Sequence, residues 1–152
     1  MMQPRGQPRP DRGGQRPSSQ PPQSPSATLT QEDAQRIVAE GNAELLVRKA
    51  QEIGRHLDVN PSQLRRFFGE VKRIEMLWSQ EGQEARAQRR AVLLRPRLNY
   101  QVQRMQKVKP LQNVLEPCLH FAVQSRENFA NFVEFYEALI AYAPKEGRGD
   151  RS

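Results

Sequence analysis

The most distinctive chemistry in this sequence is a run of positive charge that contains no acid. Residues 86–109 carry eight cations and no carboxylate, and the stretch LLRPRLNYQVQR adds a tyrosine. Arginine binds phosphate through two parallel hydrogen bonds and stacks on bases, and a tyrosine ring offers a further stacking surface. The pattern is typical of a surface that binds the backbone of a nucleic acid.

A helical wheel at about 100° per residue separates this run into two faces. One face is apolar and would pack on a core: Ala91, Leu94, Leu98, Val102 and Met105. The other face is basic, and it gives these candidate anion-binding residues: Arg86, Arg90, Arg97, Tyr100, Arg104 and Lys107. We therefore expect the cations to share one outward side of a helical scaffold.

Two simpler interpretations of this basic face stay open. A basic helix face can be merely solvated, or it can dock on an acidic protein. Tyr100 can flank the apolar seam with its hydroxyl in water. A second basic group, Arg65, Arg66, Lys72 and Arg73, is diluted by Glu70 and Glu75.

The sequence offers little for catalysis or metal binding. Its two histidines, His56 and His120, are far apart and have no ligand spacing around them. Zinc chemistry needs four clustered ligands, or three and a water, and no glycine-rich phosphate loop is present. We therefore expect no metal, no cofactor and no enzymatic activity.

Composition narrows the class of protein. The 152 residues have a formal net charge of +7 and a pI of about 10.2, which favours an anionic partner. No apolar run approaches the roughly 18 residues of a membrane span, and no secretory leader is expected. The single cysteine, Cys118, lies in an apolar run and is expected to be buried, which fits a cytoplasmic setting.

The first 27 residues differ from the rest of the chain. They hold seven of the twelve prolines, and their cations at positions 5, 9, 12 and 16 outnumber one acid. Such a segment cannot bury enough apolar surface to offset its chain entropy, so we predict a disordered basic arm. The arm either adds loose attraction for nucleic acid or is a solubilising extension.

From residue 28 onward the apolar period is about 3.6, which indicates helices, and no strand pattern competes. Helix starts are predicted at four capping residues: Thr30, Asn42, Asn60 and Ser125. Breaks are predicted at Gly41 and Gly82, a kink or helix junction near Arg95 because of Pro96, and a bend at Pro117.

The predicted fold is all-α. A compact bundle of five or six helices should occupy residues 28–144, followed by a flexible tail over residues 145–152. Residues 127–142 are apolar over most of the helix circumference, so this last helix should lie at the centre of the core.

Three stretches together resemble the small subunit of type III-A (Csm) CRISPR effector complexes. They are VNPSQLRRFFGEVKRIE (59–75), LLRPRLNYQVQR (93–104) and FVEFYEALIAY (132–142), in the order and spacing of that family. The resemblance spans roughly residues 30–143. Each stretch alone is weak evidence for the resemblance, whereas the three together are specific to that family.

The resemblance implies a non-catalytic helical protein that acts in antiviral defence. Copies would stack beside the backbone and large subunits of the ribonucleoprotein and contact guide RNA and target RNA through their phosphates. At positions that match the family pattern, the implied RNA-binding residues are Arg65, Arg66, Arg95, Arg97 and Arg104. The family often has histidine and lysine after the final tyrosine, where this chain has Ala143 and Pro144. A helical adaptor for an acidic partner and a type III-B small subunit remain the alternatives.

Overall fold

The computed structural model describes residues 28–145, and in that range it is helical with no strand. A short α1 (Gln31–Ala34) continues into a π-helical turn (Gln35–Ala39). Six longer helices follow: α2 (Ala43–Gly54), α3 (Pro61–Trp78), α4 (Glu84–Val92), α5 (Leu94–Arg104), α6 (Lys109–Ala122) and α7 (Arg126–Tyr142). A 3₁₀ turn (Gln106–Val108) joins α5 to α6. The predicted all-α class is confirmed, while the predicted N-terminal arm lies outside the described residues.

All four predicted helix starts carry a side-chain cap. The side-chain oxygens of Thr30, Asn42 and Ser125 each accept a hydrogen bond from the backbone N–H three residues later, at 3.0–3.1 Å. Asn60 accepts from the N–H of Ser62 at 2.8 Å, with Pro61 at the first helical position. Each cap satisfies one of the backbone donors that a helix start leaves without an intrahelical partner.

The predicted breaks also appear. Gly41 and Gly82 have φ angles of 67° and 81°, in the left-handed region that glycine adopts without a steric cost. Helix α4 ends at Val92 and α5 begins at Leu94, so Pro96 lies in the first turn of α5, where its missing N–H leaves no hydrogen bond unmade. Helix α6 continues through Pro117 to its end at Ala122, and the bend at Pro117 stays a prediction.

Helix α7 is the centre of the core, as predicted. It packs against α2, α3 and α6. Five of its apolar side chains are at most 1% exposed: Phe129, Phe132, Phe135, Tyr136 and Leu139. The Tyr136 hydroxyl donates to the Leu64 carbonyl at 2.8 Å, which ties α7 to α3 and satisfies a polar group that would otherwise be buried without a partner.

Gly54 lies where the backbone of α2 comes close to α7. A Cβ at this position would lie 3.0 Å from the Tyr142 Cβ and 3.1 Å from the Leu139 carbonyl oxygen. We expect Gly54→Ala to lower the free energy of unfolding by about 1–3 kcal/mol, because the crowding outweighs the gain in helix propensity. Urea unfolding measures the change.

Gly69, inside α3, is the matched control for this substitution. A Cβ there would meet nothing within 4 Å. Gly69→Ala should therefore raise the free energy of unfolding by about 0.5–1 kcal/mol, the ordinary advantage of alanine over glycine in a helix. Changes of the same sign in both variants would contradict the packing described at Gly54.

Candidate nucleic-acid interface

A groove lies between α3 and the α4–α5 pair. Ala87 and Ala91 of α4 are fully buried, and their small side chains let α4 lie close to α3. Two neighbouring cavities of about 310 Å³ each follow the groove, and both are lined by Glu70 and Arg97. We call this feature the basic groove and define it by its four arginines: Arg66, Arg73, Arg90 and Arg97.

The four arginines come from three helices and are all exposed. Arg66 and Arg73 lie seven residues apart on α3, Arg90 is on α4 and Arg97 is on α5. Glu70 is the one acid among the residues that line the two cavities. The groove therefore has an excess of positive charge, held on helices rather than on loops.

The carboxylate of Glu70 is bonded to a single arginine of the groove. Its Oε1 accepts a hydrogen bond from Arg97 Nη1 at 3.0 Å, between side chains that are 35% and 57% exposed. An ion pair this open to water contributes little to stability, typically about 0–1 kcal/mol. A phosphate in the groove can compete for Arg97 at a modest cost.

Tyr100 lies on the outside of the molecule. Its side chain is 60% exposed and lines the same cavity as Arg66 and Arg97. The Arg104 guanidinium lies 5.7 Å from the centroid of its ring, within the range of a cation–π contact. The ring is therefore available to a ligand in the groove, rather than being a side chain at the edge of the core.

Arg95 departs from the expectation of one common basic side. Its Nε donates a hydrogen bond to Oε2 of Glu116 on α6 at 2.8 Å, and its Nη2 forms an ion pair with the same oxygen at 2.7 Å. It lines a separate cavity with Leu29 and His120. The physical reason is helix geometry. Arg95 and Arg97 are two positions apart, so a rotation of about 100° per residue places their side chains on opposite sides of α5.

The other candidate residues neither line the basic groove nor form an ion pair with any residue in 28–145. These exposed cations are Arg65, Arg86, Arg104 and Lys107. Of these four, Arg104 contacts a residue that lines the groove cavity, because its guanidinium lies over the ring of Tyr100. The structure thus brings Arg66, Arg90, Arg97 and Tyr100 together at the two cavities. The remaining candidates lie outside the lining of these cavities, and Arg95 lines a separate one.

Three residues that line the two cavities lie outside the candidates that the sequence provides. Arg73 belongs only to the diluted basic group, and Gln63 and Gln101 line the first cavity without being part of the basic groove. A signal was present on α3, because residues 63, 66, 70 and 73 are spaced by three or four and so share one helix face. That these residues face α5 follows only from the packing of the helices.

Other chemistry is scarce in the described part of the chain. No three side chains among histidine, cysteine, aspartate and glutamate come together there as a metal site. Cys118 is fully buried, and burial raises the pKa of its thiol far above the ordinary value, so the reactive thiolate is absent at neutral pH. Every helix within residues 28–145 is too short or too polar to cross a membrane.

Comparison with known proteins identifies the family. A family model described as Csm2 Type III-A matches residues 40–147, a range that includes every helix from α2 to α7 and the whole basic groove. No curated protein and no solved structure matches the chain. The family match decides between the two subtypes in favour of type III-A. The chain therefore belongs to the Csm2 Type III-A family, the small subunits of type III-A CRISPR effector complexes.

Proposed function

We propose that this protein is a non-catalytic subunit that binds the backbone of the guide–target RNA duplex inside a type III-A effector complex. The observation that carries the proposal is the basic groove, where four arginines converge on two cavities lined by a single acid. Membership in the family supplies the complex in which such a groove would act. Antiviral defence in the cytoplasm is part of the proposal.

The geometry of the basic groove suits sequence-independent binding of an RNA duplex. In RNA-guided complexes, base pairing between guide and target supplies the sequence specificity. An A-form duplex offers phosphates and 2′-hydroxyls more readily than base edges. Arginines on the rigid helices α3, α4 and α5 can bind such a backbone in the same way along any sequence.

The proposal includes repetition and protein partners. One groove with few phosphate contacts binds weakly, and several copies on the same RNA bind strongly because each further contact is intramolecular. The partners would be further copies of this chain and the backbone and large subunits. Val92 and Leu93, at the α4–α5 junction, are 48% and 46% exposed, and such apolar side chains suit a contact between subunits.

Salt dependence tests the proposed function directly. If each arginine of the groove neutralises one phosphate, log K for a 20-base-pair RNA duplex should fall with log salt at a slope of about −3 to −4. Fluorescence anisotropy between 50 and 300 mM salt measures this slope. No binding at 50 mM salt would reject the proposal.

The adaptor alternative predicts a different result in a second experiment. The tagged protein is isolated from its host with and without nuclease treatment, and the co-purifying proteins are compared. After nuclease treatment, a subunit that binds RNA should lose the RNA and also the proteins that are attached to it through the RNA. An acidic protein retained equally well after nuclease treatment, from a chain that does not bind RNA, would favour the adaptor.

Glu70→Gln is expected to increase RNA affinity, whereas most substitutions in a binding site reduce it. Removing this carboxylate frees Arg97 and removes a negative charge that repels phosphate. We expect RNA affinity to rise about three- to tenfold at low salt, because two surface interactions of up to about 1 kcal/mol each are changed. Anisotropy at 50 mM salt measures the gain.

Glu75→Gln on the same helix is the matched control. Glu75 is paired with Lys72 at 3.1 Å, so this variant also removes one acid and frees one cation. Neither Glu75 nor Lys72 lines the basic groove. An equal gain in affinity from both variants would show that net charge alone decides binding, and would contradict the role given to Glu70.

A further inference from the structure

The cavity between α3, α5 and the 3₁₀ turn combines apolar and polar chemistry that phosphate binding leaves unused. Its apolar lining comes from Phe67, Leu98 and Val108; Leu98 is fully buried, so the exposed apolar surface is that of Phe67 and Val108, which are 7% and 4% exposed. Its polar lining includes Gln63, Gln101 and Tyr100 beside the arginines. A groove that bound only phosphates would need neither the apolar surface nor the amides.

The two glutamines in this cavity are half-buried, and neither side chain has a hydrogen-bond partner within residues 28–145. Two other glutamine amides, on α4 and α6, are paired. Gln88 Nε2 donates to the Val123 carbonyl at 2.9 Å, and Gln112 Nε2 donates to Asn99 Oδ1 at 3.1 Å. Half-buried amides without partners keep both donor and acceptor free for a ligand.

The size and chemistry of the cavity restrict what that ligand can be. Its volume of about 310 Å³ lies at the lower end of ligand pockets, which span roughly 300–1,000 Å³. A planar ring with hydrogen-bonding edges fits the apolar lining and the two amides, and a glutamine amide can pair with adenine through two hydrogen bonds. Arg66 and Arg97 at the same cavity suit the phosphate attached to such a ring.

The adjoining cavity indicates that the ring belongs to a polymer. It shares Glu70 and Arg97 with the first cavity and adds Arg73 and Arg90, so positive charge continues past the space of one nucleotide. Bases inside a duplex are stacked and cannot enter a cavity, whereas an unpaired base can leave the stack.

We propose that the cavity lined by Gln63, Tyr100 and Gln101 binds one unpaired nucleobase of an RNA whose phosphates lie along the basic groove. This inference rests on the proposed function and adds a base-binding site to it. The rest of the RNA is held through its backbone, whatever its sequence.

Three RNA duplexes and the full chain test the site. The first duplex is fully paired, the second carries one bulged adenosine, and the third carries an abasic residue in the same bulge. Because the second and third have the same backbone length and the same paired segments, their difference reports the presence of the base at the bulge. We expect the adenosine bulge to bind about five- to 100-fold more tightly than the abasic bulge, the range for one base stacked on an aromatic side chain.

A pair of double variants locates the effect. Gln63→Ala/Gln101→Ala should weaken the preference for adenosine over the abasic residue at least about threefold and leave affinity for the fully paired duplex within about twofold. The control is Gln103→Ala/Gln106→Ala, two exposed glutamines outside the cavity, which should change none of the three affinities.

The outcomes separate this inference from the proposed function. Equal binding of the adenosine and abasic bulges overturns the base site while binding of the fully paired duplex still supports the basic groove. An equal loss on all three duplexes in Gln63→Ala/Gln101→Ala assigns the glutamines to the backbone and also overturns the base site. No binding of any duplex at 50 mM salt rejects both.

Discussion

We expect the double variant Arg66→Glu/Arg97→Glu to bind an RNA duplex at least about 100-fold more weakly than the unchanged protein at moderate salt. Both residues line one cavity of the basic groove, and the reversal places two new carboxylates beside Glu70. The groove loses two phosphate contacts and gains repulsion at the same place. Fluorescence anisotropy gives the affinity, and circular dichroism checks that the helices are intact.

The matched control for this variant is Arg48→Glu/Arg55→Glu. It changes net charge by the same amount, and these exposed arginines lie on and just after α2, away from the groove. We expect a loss of less than about tenfold, from long-range electrostatics that salt screens. If both double variants lose affinity equally, the basic groove is not the binding surface.

The largest expected effect on stability comes from Phe132→Ala. Phe132 is fully buried on α7, and its ring packs against those of Phe129 and Tyr136 at centroid distances of 5.6 and 6.2 Å. Removing it should lower the free energy of unfolding by about 3–5 kcal/mol, from lost apolar burial and the cavity left behind. Domains of this size are typically stable by about 5–15 kcal/mol, so the loss is a large part of the total.

Urea unfolding followed by circular dichroism measures this loss. Met76→Ala is the control, because Met76 on α3 is 61% exposed and its truncation should change the free energy of unfolding by less than about 0.5 kcal/mol. A loss below about 1 kcal/mol for Phe132→Ala would contradict the central position of α7.

The elements of this fold could be predicted because their signals are local. A capping side chain such as Asn60 acts within three residues of its own position, and glycines such as Gly41 act through their own φ angle. The central position of α7 could also be predicted from the sequence, because a helix with apolar residues on nearly all of its faces is buried by packing against other helices. The family resemblance stated from three stretches is confirmed by the family match.

The candidate site could be predicted only in part, because it depends on how two helix faces meet. The wheel placed Arg90, Arg97 and Tyr100 on one side of a helix, and the structure agrees, although α4 and α5 are separate helices. The bond between Glu70 and Arg97 joins residues 27 positions apart and requires the fold to bring these two side chains of α3 and α5 together. The free amides of Gln63 and Gln101 carry no periodic signal, since an amide without a partner is recognised only in three dimensions.

The buried thiol described above has a practical consequence for measuring assembly. Cys118 is the single cysteine of the chain and is inaccessible, so maleimide dyes should not react with the folded protein. A cysteine introduced at the exposed position of Gln103 would then be the one labelled group, with no native residue to remove first. Energy transfer between donor and acceptor dyes on different copies would then show whether the copies lie side by side on one RNA molecule.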